Sequence, residues 1–192
     1  MTHRFHHAKV CIEADLMLSQ PTLTNTRSDE DPMDHAQSLD GLLDKAAITD
    51  VIHAYCYHFD RAEAEKVLAL FTADAVVDYG PDVPTMTGLD EISPMIERGL
   101  ASFFAATSHH ISNIQIAFER PDAASSVSYL YAWHRYQDGR PNSELWGQYH
   151  HDFQRTLEGW KIARLYLCAA GSKDFHRDAM HPIGRRKATL SA

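Results

Sequence analysis

The hydrophobic pattern of this chain changes period once, near Phe104, and that change limits the folds open to it. Before it, apolar residues recur every three or four positions. Leu42, Leu43, Ala46, Ala47, Ile48, Val51, Ile52, Tyr55 and Phe59 lie along one amphipathic helix from Leu39 to Phe59. A second, shorter helix is predicted over Ala62 to Phe71, and a third from Gly88-Leu89-Asp90 towards Phe104. One short strand, AVVDYG at 75–80, stands between them and ends in a Gly-Pro turn. Beyond Phe104 the period falls to two. Strands are predicted over Ile111 to Phe118, Ala124 to Tyr136, Leu145 to Leu157 and Trp160 to Ala169. They are separated by Pro121-Asp122, DGRPN at 138–142 and Glu158-Gly159. Helices followed by a long antiparallel meander predict an α+β domain, with the N-terminal helices over one face of a curved antiparallel sheet. A sheet of that kind rolls into a cone with room for a pocket.

At 192 residues the chain has the length of a single domain. Its 44% hydrophobic and 23% charged residues argue against a disordered or membrane protein, and no apolar run approaches the roughly 20 residues of a spanning helix. A net charge of −8 without a basic stripe makes nucleic acid a poor partner and a small neutral or apolar molecule a better one. Cys11, Cys56 and Cys168 are odd in number and lack CxxC spacing, which argues against a disulfide framework or a thiolate zinc site. The opening apolar stretch is broken by Glu13 and Asp15, so no export signal is read and a cytoplasmic location is expected. Residues 19–37 are dense in Ser, Thr, Asn, Asp and Pro. The expected organisation is a flexible extension over 1–37, a folded domain over 38–172 and a tail over 173–192.

Chemistry-bearing residues gather at the joints. TSHHISNIQIAF, residues 107–118, runs two imidazoles, His109 and His110, and the amide of Asn113 into an apolar strand. Strict alternation would put His110 on the face of Ile114, Ile116 and Phe118, and His109 on that of Ile111, Asn113 and Gln115. Asp60 ends the first helix, where it is either a local turn residue or a partner for one imidazole. His134 shares a strand face with Leu130, Ala132 and Tyr136, which suits a pocket wall or a hydrogen-bonded core histidine. Tyr55, Tyr79, Tyr149 and Asn113 are candidate hydrogen-bond donors to a ligand, and His110 is a further candidate contact. His150 and His151 alternate across a strand and cannot chelate one ion, and no HxH or HExxH spacing occurs, so neither metal nor cofactor is expected.

The segments AAITDVIHAYCYHFDRAEAEKVLALFTADAVVDYG, TGLDEI, TSHHISNIQI and EGWKIARLYL, in that order over most of residues 40–170, resemble the SnoaL-like branch of the nuclear transport factor 2-like superfamily. Within it the chain is similar to dehydratase-like members such as scytalone dehydratase and hexachlorocyclohexane dehydrochlorinase. The resemblance implies a cone-shaped α+β roll. It also implies an aspartate at the end of the first helix paired with a histidine at a strand start as general base. Those positions are Asp60 and His109, with His134 matching a second pocket histidine. Phe59 stands where scytalone dehydratase has a tyrosine that holds a water. The implied activity is a cofactor-independent lyase or isomerase, dehydratase-like or a polyketide cyclase, acting on a hydrophobic small molecule. The fold also serves as a ligand-binding or oligomerising module, as in the β subunits of ring-hydroxylating dioxygenases, and a homodimer or homotrimer is expected.

Overall fold

The structure is a computed structural model that describes residues 32–183. Expectations for residues 1–31 and 184–192 lie outside the described residues. α1 (Pro32–Gln37) falls within the stretch expected to be flexible, yet it forms a helical turn whose His35 is buried. Ser38 then caps α2 (Leu39–Asp60), its hydroxyl accepting from the Gly41 amide at 2.9 Å. The inward stripe of α2 is Gly41, Asp44, Ile48, Ile52, Tyr55 and Cys56, at helical spacing. Leu42 and Leu43, expected inside, are exposed instead. The Asp44 carboxylate sets that rotation, because it accepts from Trp160 Nε1 at 3.2 Å, from His35 Nε2 at 2.9 Å and from the Arg155 guanidinium. Gly41 is required there, since a Cβ on it would meet the His35 carbonyl oxygen.

α3 (Ala64–Leu68) leads into β1 (Phe71–Asp78), which begins earlier than its sequence pattern suggests. β2 (Met86–Thr87), α4 (Leu89–Arg98) and one π-helical turn (Gly99–Phe103) follow. The long strands are β3 (Phe104–Arg120), β4 (Ala123–Tyr136), β5 (Ser143–Thr156) and β6 (Gly159–Lys173), with a two-residue β7 (His181–Pro182). β3 to β6 form the expected antiparallel meander. The sheet as a whole is mixed, because β1 and β7 both pair with β6 in parallel. Its order is β2-β1-β6-β5-β4-β3, so the two edges do not meet and the curved sheet stays open.

On the concave side α2 packs across β3 and β6, and the core beneath it includes Ile48, Ile52, Phe71, Phe153, Ile162 and Leu165. Each fully buried side chain of that size contributes about 1.5–3 kcal/mol relative to exposure. Trp160 joins this core, whereas Tyr129 and Trp146 are exposed large aromatics. No helix among the described residues is long and apolar enough to cross a membrane.

Candidate active site

One irregularity in β3 decides what faces the interior. The ladder with β4 shifts between Ser112 and Gln115, and Asn113 adopts φ 51°. This inserts an extra residue, a β-bulge, and resets the alternation. His109 and Ile111 therefore point to the same side as Ile114, Ile116 and Phe118, while His110, Ser112 and Asn113 are turned to solvent. Strict alternation would turn His110 inward, and this single inserted residue gives that place to His109 instead.

His109 meets the end of α2. Its Nδ1 lies 2.6 Å from Asp60 Oδ1, and its backbone amide donates to Asp60 Oδ2 at 2.8 Å. Thr107 Oγ1 donates to Asp60 Oδ1 at 2.7 Å. Burial alone would push the Asp60 carboxyl up. The hydrogen bonds and charge of His109, together with the Thr107 hydroxyl, outweigh it and hold the group below the usual carboxylate range. An ionised carboxylate on Nδ1 keeps a proton on that nitrogen and leaves Nε2 as the acceptor. The His109 side chain is only 5% exposed, and the rim of its ring packs against Phe59 with centroids 5.3 Å apart.

His109 lines a cavity of about 610 Å³ that opens between the sheet and α4. This volume falls in the range of small-molecule sites. Its walls are mostly apolar, with Phe59, Ile96, Phe104, Leu130, Leu145 and Leu167 among them. His134 is across from His109, with ring centroids 5.6 Å apart. Burial pushes His134 down to about 3, and the charges of His109, His176 and Arg177 add to this. It is therefore neutral near pH 7 and can act as a hydrogen-bond donor but not as an imidazolium acid. A polar chain continues from it: His134 Nδ1 to Ser143 Oγ at 3.4 Å, Ser143 Oγ to Tyr136 Oη at 2.6 Å, and Tyr136 Oη to His176 Nδ1 at 2.8 Å. Burial, then Arg177 and Arg140, push His176 down to about 4.

Tyr55, Tyr79 and Tyr149 also line the cavity, and the Tyr55 and Tyr79 hydroxyls are 2.7 Å apart. Burial raises all three phenols, so they remain protonated. His110 and Asn113 do not reach the cavity. His110 lies instead 3.1 Å from Ser108 Oγ and against the Tyr131 ring.

Sequence reasoning missed the π-helical turn that supplies Phe103 and the tail that supplies Phe175, His176 and Arg177. The only hint was a run of aromatic and basic residues, DFHR at 174–177, where no periodicity survives. The tail returns over the cavity because Asp82 accepts the Asp178 and Ala179 amides at 2.7 Å each and His181 Nε2 meets Asp78 Oδ1 at 2.8 Å. Among the described residues, no group of three His, Cys, Asp or Glu side chains is placed to hold a metal ion.

The model of the SnoaL-like domain matches residues 40–166. The chain belongs to the SnoaL-like domain family. No curated protein matches this SnoaL-like chain in sequence. Its fold is that of a candidate scytalone dehydratase from Novosphingobium aromaticivorans, with 36% identity and a TM-score of 0.73, covering 77% of this chain and 98% of the other. A candidate aromatic ring hydroxylase from the same species is 28% identical, with a TM-score of 0.62 over 66% of this chain and 88% of its own. A type 2 hexachlorocyclohexane dehydrochlorinase shares the fold at 18% identity, with a TM-score of 0.65 over 77% and 99%. The bulge and helix end that position His109 and Asp60 both lie inside the matched span.

Proposed function

We propose that this SnoaL-like protein is a cofactor-independent lyase of the dehydratase type, acting on a hydrophobic small molecule with His109 as general base. The observation that carries this reading is the 2.6 Å contact of Asp60 with His109 at the wall of an apolar cavity. Nε2 takes a proton from carbon, the C–H electrons form the new double bond, and the leaving group departs from the adjacent carbon. Asp60 holds the ring and stabilises the imidazolium. When the leaving group is hydroxyl, the proton on Nε2 passes to it and water leaves, which returns the base to its starting state. His134 or a cavity tyrosine donates a hydrogen bond to the oxygen that gains charge. Delivery of the same proton to another carbon would make the reaction an isomerisation, and attack of the carbanion on a carbonyl carbon of the same molecule, whose oxygen takes the proton, would make it a cyclisation.

The 36% identity to a candidate scytalone dehydratase supports elimination. Phe59 provides no hydroxyl beside Asp60, so this chain would not hold a water there as scytalone dehydratase does. Asp60→Asn and His109→Ala are expected to lower turnover of an elimination substrate by about 10²–10⁴ with an unchanged circular dichroism spectrum. An NMR titration in which no imidazole responds to Asp60→Asn would sink the dyad.

The exposed aromatics Tyr129 and Trp146 on the outer sheet face favour a second reading, a non-catalytic module that supports a larger partner. Co-purification of a larger catalytic chain, with both variants neutral, would select it. Assembly as a homodimer or homotrimer through the outer sheet face, where Tyr129 and Trp146 are exposed, is part of the proposal and is read by light scattering.

A further inference from the structure

The tail after β6 brings one charge into the cavity that the elimination chemistry does not use. Arg177 lines the wall, and its Nη1 donates to the Tyr79 carbonyl oxygen at 2.6 Å. Its guanidinium carbon lies 5.3 Å from the centre of the Tyr79 ring and 5.9 Å from that of Phe175. A guanidinium has five N–H donors, and this one uses a single donor among the described residues. The charge of Asp82 reaches it, but that carboxylate is engaged by two backbone amides of the tail. The other titratable groups whose fields meet it, His134, His176, Tyr55, Tyr79, Tyr136 and Tyr149, are neutral near pH 7. No carboxylate among the described residues forms an ion pair with Arg177, and a largely buried cation so placed is unfavourable unless a closer partner arrives from outside. Cation–π attraction to the two rings offsets part of that cost, and the donors other than the one on Tyr79 have no partner among the described residues. Tyr149, whose hydroxyl has no hydrogen-bond partner among the described residues, lines the same cavity.

We propose that Arg177, with Tyr149, is a carboxylate-binding subsite of this cavity, and that the substrate is a small organic acid with an apolar body. The proposal rests on the reading of the cavity as the substrate site. It adds a ligand class to that reading. The chain carries a net charge of −8, so the preference for an acid arises locally, where a low dielectric strengthens the Arg177 interaction, and not from the field of the whole protein.

The test is calorimetric binding of 2-naphthoate and its neutral isostere 2-naphthamide near neutral pH, to wild type, Arg177→Gln and Arg177→Lys. The carboxylate is expected to bind wild type at least about tenfold more tightly than the amide. That preference should vanish in Arg177→Gln and persist in part in Arg177→Lys. Equal binding of the two probes to wild type, binding of neither, or a preference that survives Arg177→Gln would overturn the proposal and leave Arg177 as a clamp on the Tyr79 carbonyl. The wild-type comparison does not depend on any variant folding. His109→Ala separates this idea from the lyase reading, since it removes the base but should keep the preference for the carboxylate.

Discussion

Replacing His151 with leucine is expected to flatten the acid side of the stability profile. His151 is 1% exposed on the inner face of β5, between the rings of Tyr149 and Phe153 and opposite Ser126 in the ladder. Neither ring nitrogen has a hydrogen-bond partner among the described residues. Burial, with a smaller push from His150, drives the imidazole down to about 3. The unfolded chain takes up a proton at this histidine near the ordinary value of about 6.5, whereas the folded chain does not until far lower pH, so stability falls as pH falls between the two. The cost is RT ln(1 + 10^(6.5 − pH)), or about 0.2 kcal/mol near pH 7 and about 2 kcal/mol near pH 5. Urea unfolding at the two pH values should therefore show wild type losing about 2 kcal/mol more than His151→Leu. His134 and His176 act in the same direction in both proteins and cancel in the difference. An equal loss in the two proteins would refute the reasoning, because it would mean that His151 protonates inside the fold near its ordinary value.

Two further changes test the framework around the site. Asp44→Ala removes the carboxylate shared by Arg155 and Trp160 and should destabilise the fold by about 3 kcal/mol in urea unfolding. A loss below about 1 kcal/mol would show that this buried network contributes little. At the bulge, Asn113→Val forces a β-branched side chain to φ 51° and should cost about 1–2 kcal/mol, while Asn113→Gly should be neutral or mildly stabilising. Equal melting of the Val and Gly variants would show that Asn113 does not carry a left-handed bulge.

The long elements were legible in the sequence because each depends on local periodicity. α2 and the strands β3 to β6 follow from the spacing of Ile48, Ile52 and Tyr55 and from the alternation along Leu130, Ala132 and His134. The helical order, the turns and the α+β class come from the same signal. The placement of Asp60 at a helix end and His109 near a strand start was also readable, since both are positions along the chain. Their contact was a resemblance until the fold showed it.

What lay beyond the sequence are relations between segments. Which histidine faces inward depended on one inserted residue in β3, since alternation alone would have put His110, not His109, with the apolar run. The rotation of α2, which exposes Leu42 and Leu43, was set by partners of Asp44 more than a hundred residues away. The cavity was completed by a tail whose residues show no periodicity, held by Asp82 and Asp78. By itself the sequence determined the elements, their order and the stock of imidazoles, carboxylates and phenols, because these rest on short-range sterics and hydrophobic spacing. Only the tertiary structure decided which of them share one cavity, because a bulge, a buried charge and a returning tail act through contacts between segments distant in the chain.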